Sequence, residues 1–204
     1  MTRAAGAESR KAQQSAATRA ELLSQSLLVF AKRGVSHTAL DDVARAAGVT
    51  KGAIYWHFRN KDDLFQAILD DIRSRWQEAV LTPVSSVRDP RARLECFFDG
   101  YAKLFTDTPE ICLFLQHTLL DTQNKRCFGK VTKVFGQTRV FVERILNDGK
   151  HAGCFHQSLN PKITALAIIG SLAGATQQCL VDRNLKIKDA IDEVRAMTLA
   201  RVGA

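Results

Sequence analysis

Two short helical patterns are separated only by the turn Gly48-Val49-Thr50, and this spacing restricts how the surrounding chain can fold. The first pattern has apolar residues at i, i+3, i+4 and i+7, which lie on one face of a helix. They are Leu40, Val43, Ala44 and Ala47. Gly48 ends this helix, because glycine readily adopts the conformation that follows a helix end. Two helices joined by so short a turn are typical of a helix-turn-helix, which we predict over residues 39–58.

Capping signals predict where the two helices begin. Thr38 and Asp41 have the spacing of a capping box, with Asp in place of the usual Glu. Val49 comes just before the cap of the second helix and Ile54 is at its fourth position, which is the pairing of a hydrophobic staple. We therefore expect Ile54 and Phe58, four residues apart, to face inward.

The remaining faces of the second helix favour contact with DNA. Lys51 could reach a base edge or a phosphate, and the small residues Gly52 and Ala53 would let the backbone approach a groove closely. One turn later, Tyr55 and His57 could hydrogen-bond phosphates.

Two neighbouring residues also receive predicted roles. Trp56 is expected to brace this helix against the start of the following one. Lys61, at the first position of that following helix, opposes the helix dipole, and a phosphate bound there would turn this cost into a gain. Each residue on its own could be a core aromatic or a solvated lysine. Their combination inside a capped helix-turn-helix favours DNA binding.

Helical patterns with clear stops fill the rest of the sequence, so the predicted fold class is all-α, with about nine helices. A flexible basic tail is predicted over residues 1–16, followed by a three-helix domain with the helix-turn-helix over residues 17–77. The Pro/Ser-containing stretch 81–90 is predicted to be a linker, and a larger helical domain follows over residues 82–204. Its helices are expected near residues 90–106, 109–121, 125–150, 161–181 and 186–202.

The charge distribution is compatible with a polyanionic partner. The net charge is +8, with a balance of +6 over residues 1–61, −5 over 62–123 and +7 over 124–204. The amino-terminal third is the natural nucleic-acid candidate, although the basic carboxy-terminal segment means that charge alone does not decide it.

Membrane, metal and enzyme functions find little support in the sequence. Residues 163–181 form the only long charge-free run, and polar residues interrupt it, which favours a buried helix over a membrane span. In the segment 151–156, His151, Cys154 and His156 are metal-type ligands without a fourth partner, so a surface connector is favoured and no metal or cofactor is predicted. P-loop, GxGxxG, HExxH and GxSxG motifs are absent, and we expect no enzyme.

The cysteines indicate a reduced, cytoplasmic chain. They are odd in number and widely spaced, without a CxxC pair. A thiol sensor remains an alternative, for which Cys127 beside Lys125 and Arg126 is the best candidate. The five cysteines are Cys96, Cys112, Cys127, Cys154 and Cys179.

The run HTALDDVARAAGVTKGAIYWHFRNKDDLFQAIL, residues 37–69, resembles the DNA-binding domain of TetR-family transcriptional regulators. The resemblance covers about residues 17–77 and is greatest to the AcrR-type branch, whose members often repress multidrug-efflux genes. Asp41 stands where some members have a base-reading basic residue, so no base is assigned to it. The resemblance implies a DNA interface made of Thr38, Thr50, Lys51, Gly52, Ala53, Tyr55, Trp56, His57 and Lys61.

The resemblance also implies a homodimeric repressor that pairs through its last two helices on a near-palindromic double-stranded operator. A small effector, filling the second domain, would release it. Aromatic density among the middle helices suggests an apolar or aromatic effector, while an acyl thioester or simple core packing remain alternatives. The candidate effector residues are Phe98, Tyr101, Phe105, Phe114, His117, Phe135 and Arg139, with Gln116 as a further polar anchor. An architectural DNA-binding protein on the same fold is a second alternative.

Overall fold

The computed structural model describes residues 2–121 and 124–203, with side chains described from residue 12 onward. These residues form ten α-helices and one π-helical turn, and no strand is found among them beyond an isolated bridge. The predicted all-α class is therefore confirmed. The helices are α1 (Thr2–Arg33), α2 (Leu40–Ala46), α3 (Lys51–His57), α4 (Lys61–Trp76), α5 (Thr82–Ser86), α6 (Pro90–Asp107), α7 (Glu110–Leu120), α8 (Lys125–His151), α9 (Pro161–Val181) and α10 (Ile187–Val202).

The chain divides into two compact units, one up to Asp71 and the other from Ile72 onward. The predicted linker 81–90 is wrong, because the π-helical turn Gln77–Leu81 continues directly into α5, and Val84 is buried in the second unit. Pro83 and Pro90 lie in the first turns of α5 and α6. Proline is tolerated there because its missing N–H would have had no helical partner. The Pro/Ser composition therefore marked two helix starts rather than a linker.

Helix α1 extends through most of the segment predicted to be a flexible tail. It begins at Thr2, whereas the predicted start was near Ala17. Residues 2–16 lack an apolar stripe, which suggested a tail, but they are rich in Ala, Gln, Lys and Arg, which favour helix without any burial. The buried part of α1 comes later, where Leu22, Phe30 and Ala31 enter the core of the first unit.

Two glycines allow close packing in the second unit. A Cβ atom on Gly100 in α6 would overlap the carbonyl oxygen of Ala79 in the π-helical turn, so the two backbones touch at this point. A Cβ on Gly149 in α8 would overlap the ring of Phe155. Phe155 is buried and forms the isolated bridge with Gly203, which attaches the connector 152–160 to the carboxy-terminal end.

Helix α9 is apolar but only partly buried. It is the one helix in the described chain that is long and apolar enough to cross a membrane, with a mean hydropathy of 1.4, and 33% of its most apolar stretch is buried. Such a helix on its own is weak evidence for a membrane span. The predicted buried helix therefore has a large exposed face, which includes Ile163 and Leu166, each 57% exposed.

Candidate nucleic-acid interface

The turn between α2 and α3 has the geometry that its sequence predicts. Gly48 adopts a φ of +65°, a conformation that costs glycine little. The Thr50 hydroxyl accepts a hydrogen bond from the Ala53 N–H at 3.2 Å, so Thr50 caps α3 as predicted. Ile54 and Phe58 are buried, which confirms the inward-facing pair. A short, capped helix is thus held onto the first unit by its inner side.

The start of α2 differs from the prediction by one residue. The cap position is Ala39, whose backbone N–H donates to Asp42 Oδ2 at 3.0 Å. The Thr38 hydroxyl instead donates to the Gly34 carbonyl at 2.8 Å, just beyond the end of α1, and Thr38 is only 2% exposed. The predicted capping box of Thr38 and Asp41 is therefore wrong. A DNA contact by the Thr38 side chain is also not supported, because its hydroxyl is buried and already bonded.

The outward face of α3 presents two large aromatic side chains to solvent. Tyr55 is 46% exposed and Trp56 is 73% exposed. The predicted bracing role of Trp56 is wrong, because the side chain lies on the surface, where its ring meets His57 edge-on at 4.6 Å between centroids. Lys51 and Gly52 are exposed in the first turn, whereas Ala53 is half-buried.

His57 lies partly beneath this face and favours its neutral form. Its pKa is lowered, first by burial and then by the positive charge of Arg19. A neutral imidazole can still donate one hydrogen bond to a phosphate oxygen. The Arg19 guanidinium lies 5.2 Å from the centroid of the Phe58 ring, so α1 brings a cation to the end of α3. The sequence offered no signal for this residue beyond a basic charge outside the motif.

Lys51 is paired with Asp41, a carboxylate to which the sequence analysis assigned no contact with DNA. Its ammonium lies 2.8 Å from Asp41 Oδ2 on α2 and 5.7 Å from the centroid of the Tyr55 ring. The hydrogen bond to Asp41, followed by the charge of Asp41, raises the pKa of Lys51. Lys51 is therefore a firmly protonated cation held across the turn from α2.

Lys61 has an intramolecular partner that the sequence did not reveal. Its ammonium donates to the Val35 carbonyl at 2.8 Å, and Asn60 Oδ1 accepts from the Asp63 N–H at 2.9 Å at the same helix end. These hydrogen bonds offset part of the unfavourable interaction between the Lys61 charge and the helix dipole. No bound phosphate is needed for this compensation. An open groove of about 590 Å³ lies beside Lys61, and its lining includes Tyr55 and Arg59. The groove is also lined by Ser36, His37, Thr38, Ala39, Leu40, Asp42 and Asn60.

The predicted effector residues occupy different environments in the second unit. Tyr101 and Phe105 lie 4.4 Å apart between ring centroids, and Trp76, which was not assigned to the pocket, lies edge-on to both Tyr101 and Phe97. His117 is exposed on α7. Phe98 and Phe114 are buried, Phe135 and Arg139 are half-buried, and Arg139 pairs with Glu143 at 2.8 Å.

Polar groups border this aromatic cluster. Burial raises the pKa of Tyr101, which keeps its phenol neutral, and Thr176 hydrogen-bonds to it. Gln116 Nε2 donates to the Ala173 carbonyl at 3.3 Å and to Cys112 Sγ at 3.2 Å. The contact with the Ala173 carbonyl is longer than a typical N–H···O bond, so a better-placed acceptor on an effector would compete for the Gln116 amide.

Three of the five cysteines lie in environments that favour the protonated thiol. Cys127, the best candidate for a sensor in the sequence, is 2% exposed. Burial raises the pKa of Cys96 and Cys179, and raises that of Cys112 to about 12. A thiol is a much weaker nucleophile than a thiolate, so this arrangement does not favour redox sensing. Within the described residues, no three His, Cys, Asp or Glu side chains converge to hold a metal.

Comparison with known proteins relates both the motif and the fold to bacterial regulators. The model of the bacterial regulatory proteins of the tetR family matches residues 22–68. The HTH-type transcriptional regulator TtgR of Pseudomonas putida is 54% identical over 55 residues, which cover 27% of this chain and 26% of TtgR. The chain thus matches about a quarter of that relative's length. The probable acrEF/envCD operon repressor of Escherichia coli is 29% identical over 171 residues, covering 81% of this chain and 77% of the repressor.

A solved relative extends the likeness to the whole fold. The structure of a complex of SmeT with triclosan aligns with a TM-score of 0.74 and 23% identity, covering 92% of each chain. In another solved structure, SmeT is described as the repressor of the Stenotrophomonas maltophilia multidrug efflux pump SmeDEF. At this identity the comparison shows that the folds are alike.

Proposed function

We propose that the chain, whose residues 22–68 match the model of the bacterial regulatory proteins of the tetR family, is a TetR-family repressor of transcription that binds a near-palindromic operator as a homodimer and leaves it when a small effector binds. The bacterial relatives support the coarse function, regulation of transcription. The dimer, the operator geometry, the effector and the action on DNA in the cytoplasm are proposals supported by the contacts described above.

The outward face of α3 is the observation that carries this proposal. The inner side of α3 is fixed by Ile54 and by Phe58 just beyond it, while Lys51, Tyr55 and Trp56 project into solvent. The major groove of B-DNA is about 12 Å wide and admits one helix. With Gly52 and Ala53 in the first turn, the α3 backbone can lie close to the base edges, and Lys51 can donate to them.

The groove beside Lys61 suits the flanking phosphate backbone. Arg59 and Lys61 supply positive charge there, and the Tyr55 hydroxyl and His37 can donate hydrogen bonds. Lys61 would redirect its ammonium from the neutral Val35 carbonyl towards the phosphate, where the bond is stronger because both partners are charged. We keep Thr50, His57 and Lys61 in the proposed interface and leave out the buried Thr38 side chain.

The exposed face of α9 supports a homodimer. Apolar side chains on this face are unusually exposed for a soluble protein, and exposed apolar surface marks interaction sites. Gly170 and Gly174 have no atom within 4 Å of the place where a Cβ would lie, which leaves room for a second helix. A twofold pairing here would present two copies of α3 to half-sites about 34–36 Å apart. The exposed apolar residues are Ile163, Leu166 and Val181 on α9 and Met197 on α10.

The aromatic cluster supports an apolar or aromatic effector. Ring surfaces are offered by Trp76, Phe97, Tyr101 and Phe105. Gln116 offers an amide N–H whose bond to the Ala173 carbonyl is long. The effector would act by favouring a dimer whose two α3 helices no longer match both half-sites. The description of SmeT, whose fold is alike, as the repressor of a multidrug efflux pump supports a multidrug-efflux operon as the regulated target.

Footprinting on the DNA upstream of the protein's own gene and its neighbours tests the proposal. We expect protection of one short near-palindrome, which Lys51→Ala and Tyr55→Ala variants with the wild-type unfolding temperature should protect only at higher protein concentrations. Protection of long stretches without a boundary would instead indicate an architectural DNA-binding protein. Repeating the footprint with candidate aromatic compounds then tests release by an effector.

A further inference from the structure

We propose that Asp41 determines the DNA specificity of this protein, by positioning the Lys51 ammonium and by cancelling its attraction to phosphates. The inference rests on the proposed function, because it requires that α3 enters the major groove. It concerns a residue on α2 that no motif assigns to DNA and that carries the same sign of charge as DNA.

The Asp41 carboxylate has a fixed orientation. Oδ2 lies 2.8 Å from the Lys51 ammonium, across the turn between the two helices. Oδ1 is buried and has no hydrogen-bond partner among the described residues. An unpaired buried carboxylate oxygen is unfavourable for folding. The orientation in which Asp41 faces Lys51 therefore costs some folding free energy.

The Lys51 ammonium is held from two directions. Asp41 binds it on one side, and the Tyr55 ring lies 5.7 Å away on another. An ammonium has three N–H donors, and Asp41 occupies one of them. The Lys51 side chain remains 68% exposed, so the other donors can meet a groove. A flexible lysine thereby becomes an oriented donor, suited to the O6 and N7 acceptors of guanine.

Stability does not account for this pair. Salt bridges that water can reach contribute little to folding, and in this one the Lys51 and Asp41 side chains are 68% and 41% exposed. Against DNA, however, Asp41 changes the balance between two kinds of contact. A free lysine attracts any phosphate whatever the sequence, whereas a lysine neutralised by a carboxylate keeps its directional donors and loses most of this general attraction. The pair therefore lowers affinity for all DNA and raises discrimination between sequences.

Binding of two duplexes by four proteins tests this role. Operator and scrambled duplexes are titrated at several salt concentrations with wild type, Asp41→Asn, Lys51→Ala and the double variant. Asp41→Asn is expected to bind scrambled DNA more tightly, with a salt slope steeper by about one unit. The ratio of scrambled to operator Kd should fall about five-fold or more, the lower end of the discrimination given by one base contact. In the Lys51→Ala background, Asp41→Asn should leave this ratio unchanged.

Two controls make the outcome decisive. Glu21→Gln removes a negative charge from the same unit and can keep its bond with Gln25, so it should not change the ratio. Asp41→Ser should reproduce the loss of discrimination, and unfolding temperatures show that each variant is folded. A wild-type ratio in folded Asp41→Asn and Asp41→Ser, or an equal fall of the ratio with Lys51 absent, overturns the proposal. A wild-type protein without preference for any upstream DNA would overturn the proposed function itself.

Discussion

Replacing Thr50 by Ala should loosen α3 and weaken operator binding while the rest of the first unit stays folded. The Thr50 hydroxyl accepts from the Ala53 N–H at 3.2 Å, and α3 has only seven residues. A helix this short is not stable on its own, so it depends on its cap and on burial of one face. Loss of such a cap typically costs about 1 kcal/mol. Because Thr50 is exposed, its removal leaves no cavity and adds no further cost.

The expected effect on DNA binding follows from this cost of about 1 kcal/mol for losing the cap. If α3 must be fully formed to bind, about 1 kcal/mol in this local equilibrium corresponds to an affinity loss of about five-fold at most. Amide hydrogen exchange in the absence of DNA measures the local opening, at Ala53 and the following residues. Operator titration measures the consequence for binding. Thr50→Ser is the matched control, since its hydroxyl can accept the same bond.

The two measurements separate a cap from a direct DNA contact. In Thr50→Ala, exchange at Ala53 should accelerate about five-fold, and Thr50→Ser should restore both protection and affinity. Unchanged protection with reduced operator affinity would refute the capping argument and make the hydroxyl a contact to DNA.

Three further perturbations test other parts of the structure. Gly149→Ala should lower the free energy of unfolding by about 1–3 kcal/mol in chemical denaturation, because the new methyl group overlaps the Phe155 ring. Gly129→Ala on the same helix is the control: its methyl group meets no described atom within 4 Å, so it should be neutral or stabilising. Leu166→Glu on the exposed face of α9 should convert a dimer into a monomer in sedimentation; a monomeric wild type would end the dimer proposal. The pKa of His57 in the folded protein is below its ordinary 6.5, so His57 binds a proton more readily in the unfolded chain than in the folded one. The free energy of unfolding should therefore fall as the pH drops through about 6.5. Acid denaturation curves of His57→Gln should show a smaller fall.

Local signals in the sequence predicted the interface helix well. Gly48, the Thr50 cap and the inward pair Ile54 and Phe58 act within one or two turns, so their spacing is sufficient to specify them. Thr38 shows the limit of such signals. Its hydroxyl could satisfy either the start of α2 or the end of α1, and only the packed structure selects the Gly34 carbonyl.

Contacts across the chain were not readable from the sequence. Lys61 finds the Val35 carbonyl and Lys51 finds Asp41, both through the way in which α1, α2 and α3 pack. Trp56 was expected to pack against the start of α4, but 73% of its side chain is exposed. Periodicity predicts which face is apolar; it does not reveal whether a neighbour covers that face, as the exposed side of α9 illustrates.

Methylation interference on the operator tests most directly whether α3 lies in the major groove. Methyl groups on guanine N7 project into the major groove, and those on adenine N3 project into the minor groove. We predict interference at guanine N7 in both half-sites, separated by about one helical turn, and loss of one of these positions in Lys51→Ala. Interference confined to adenine N3, or none at any base in the protected region, would contradict the account.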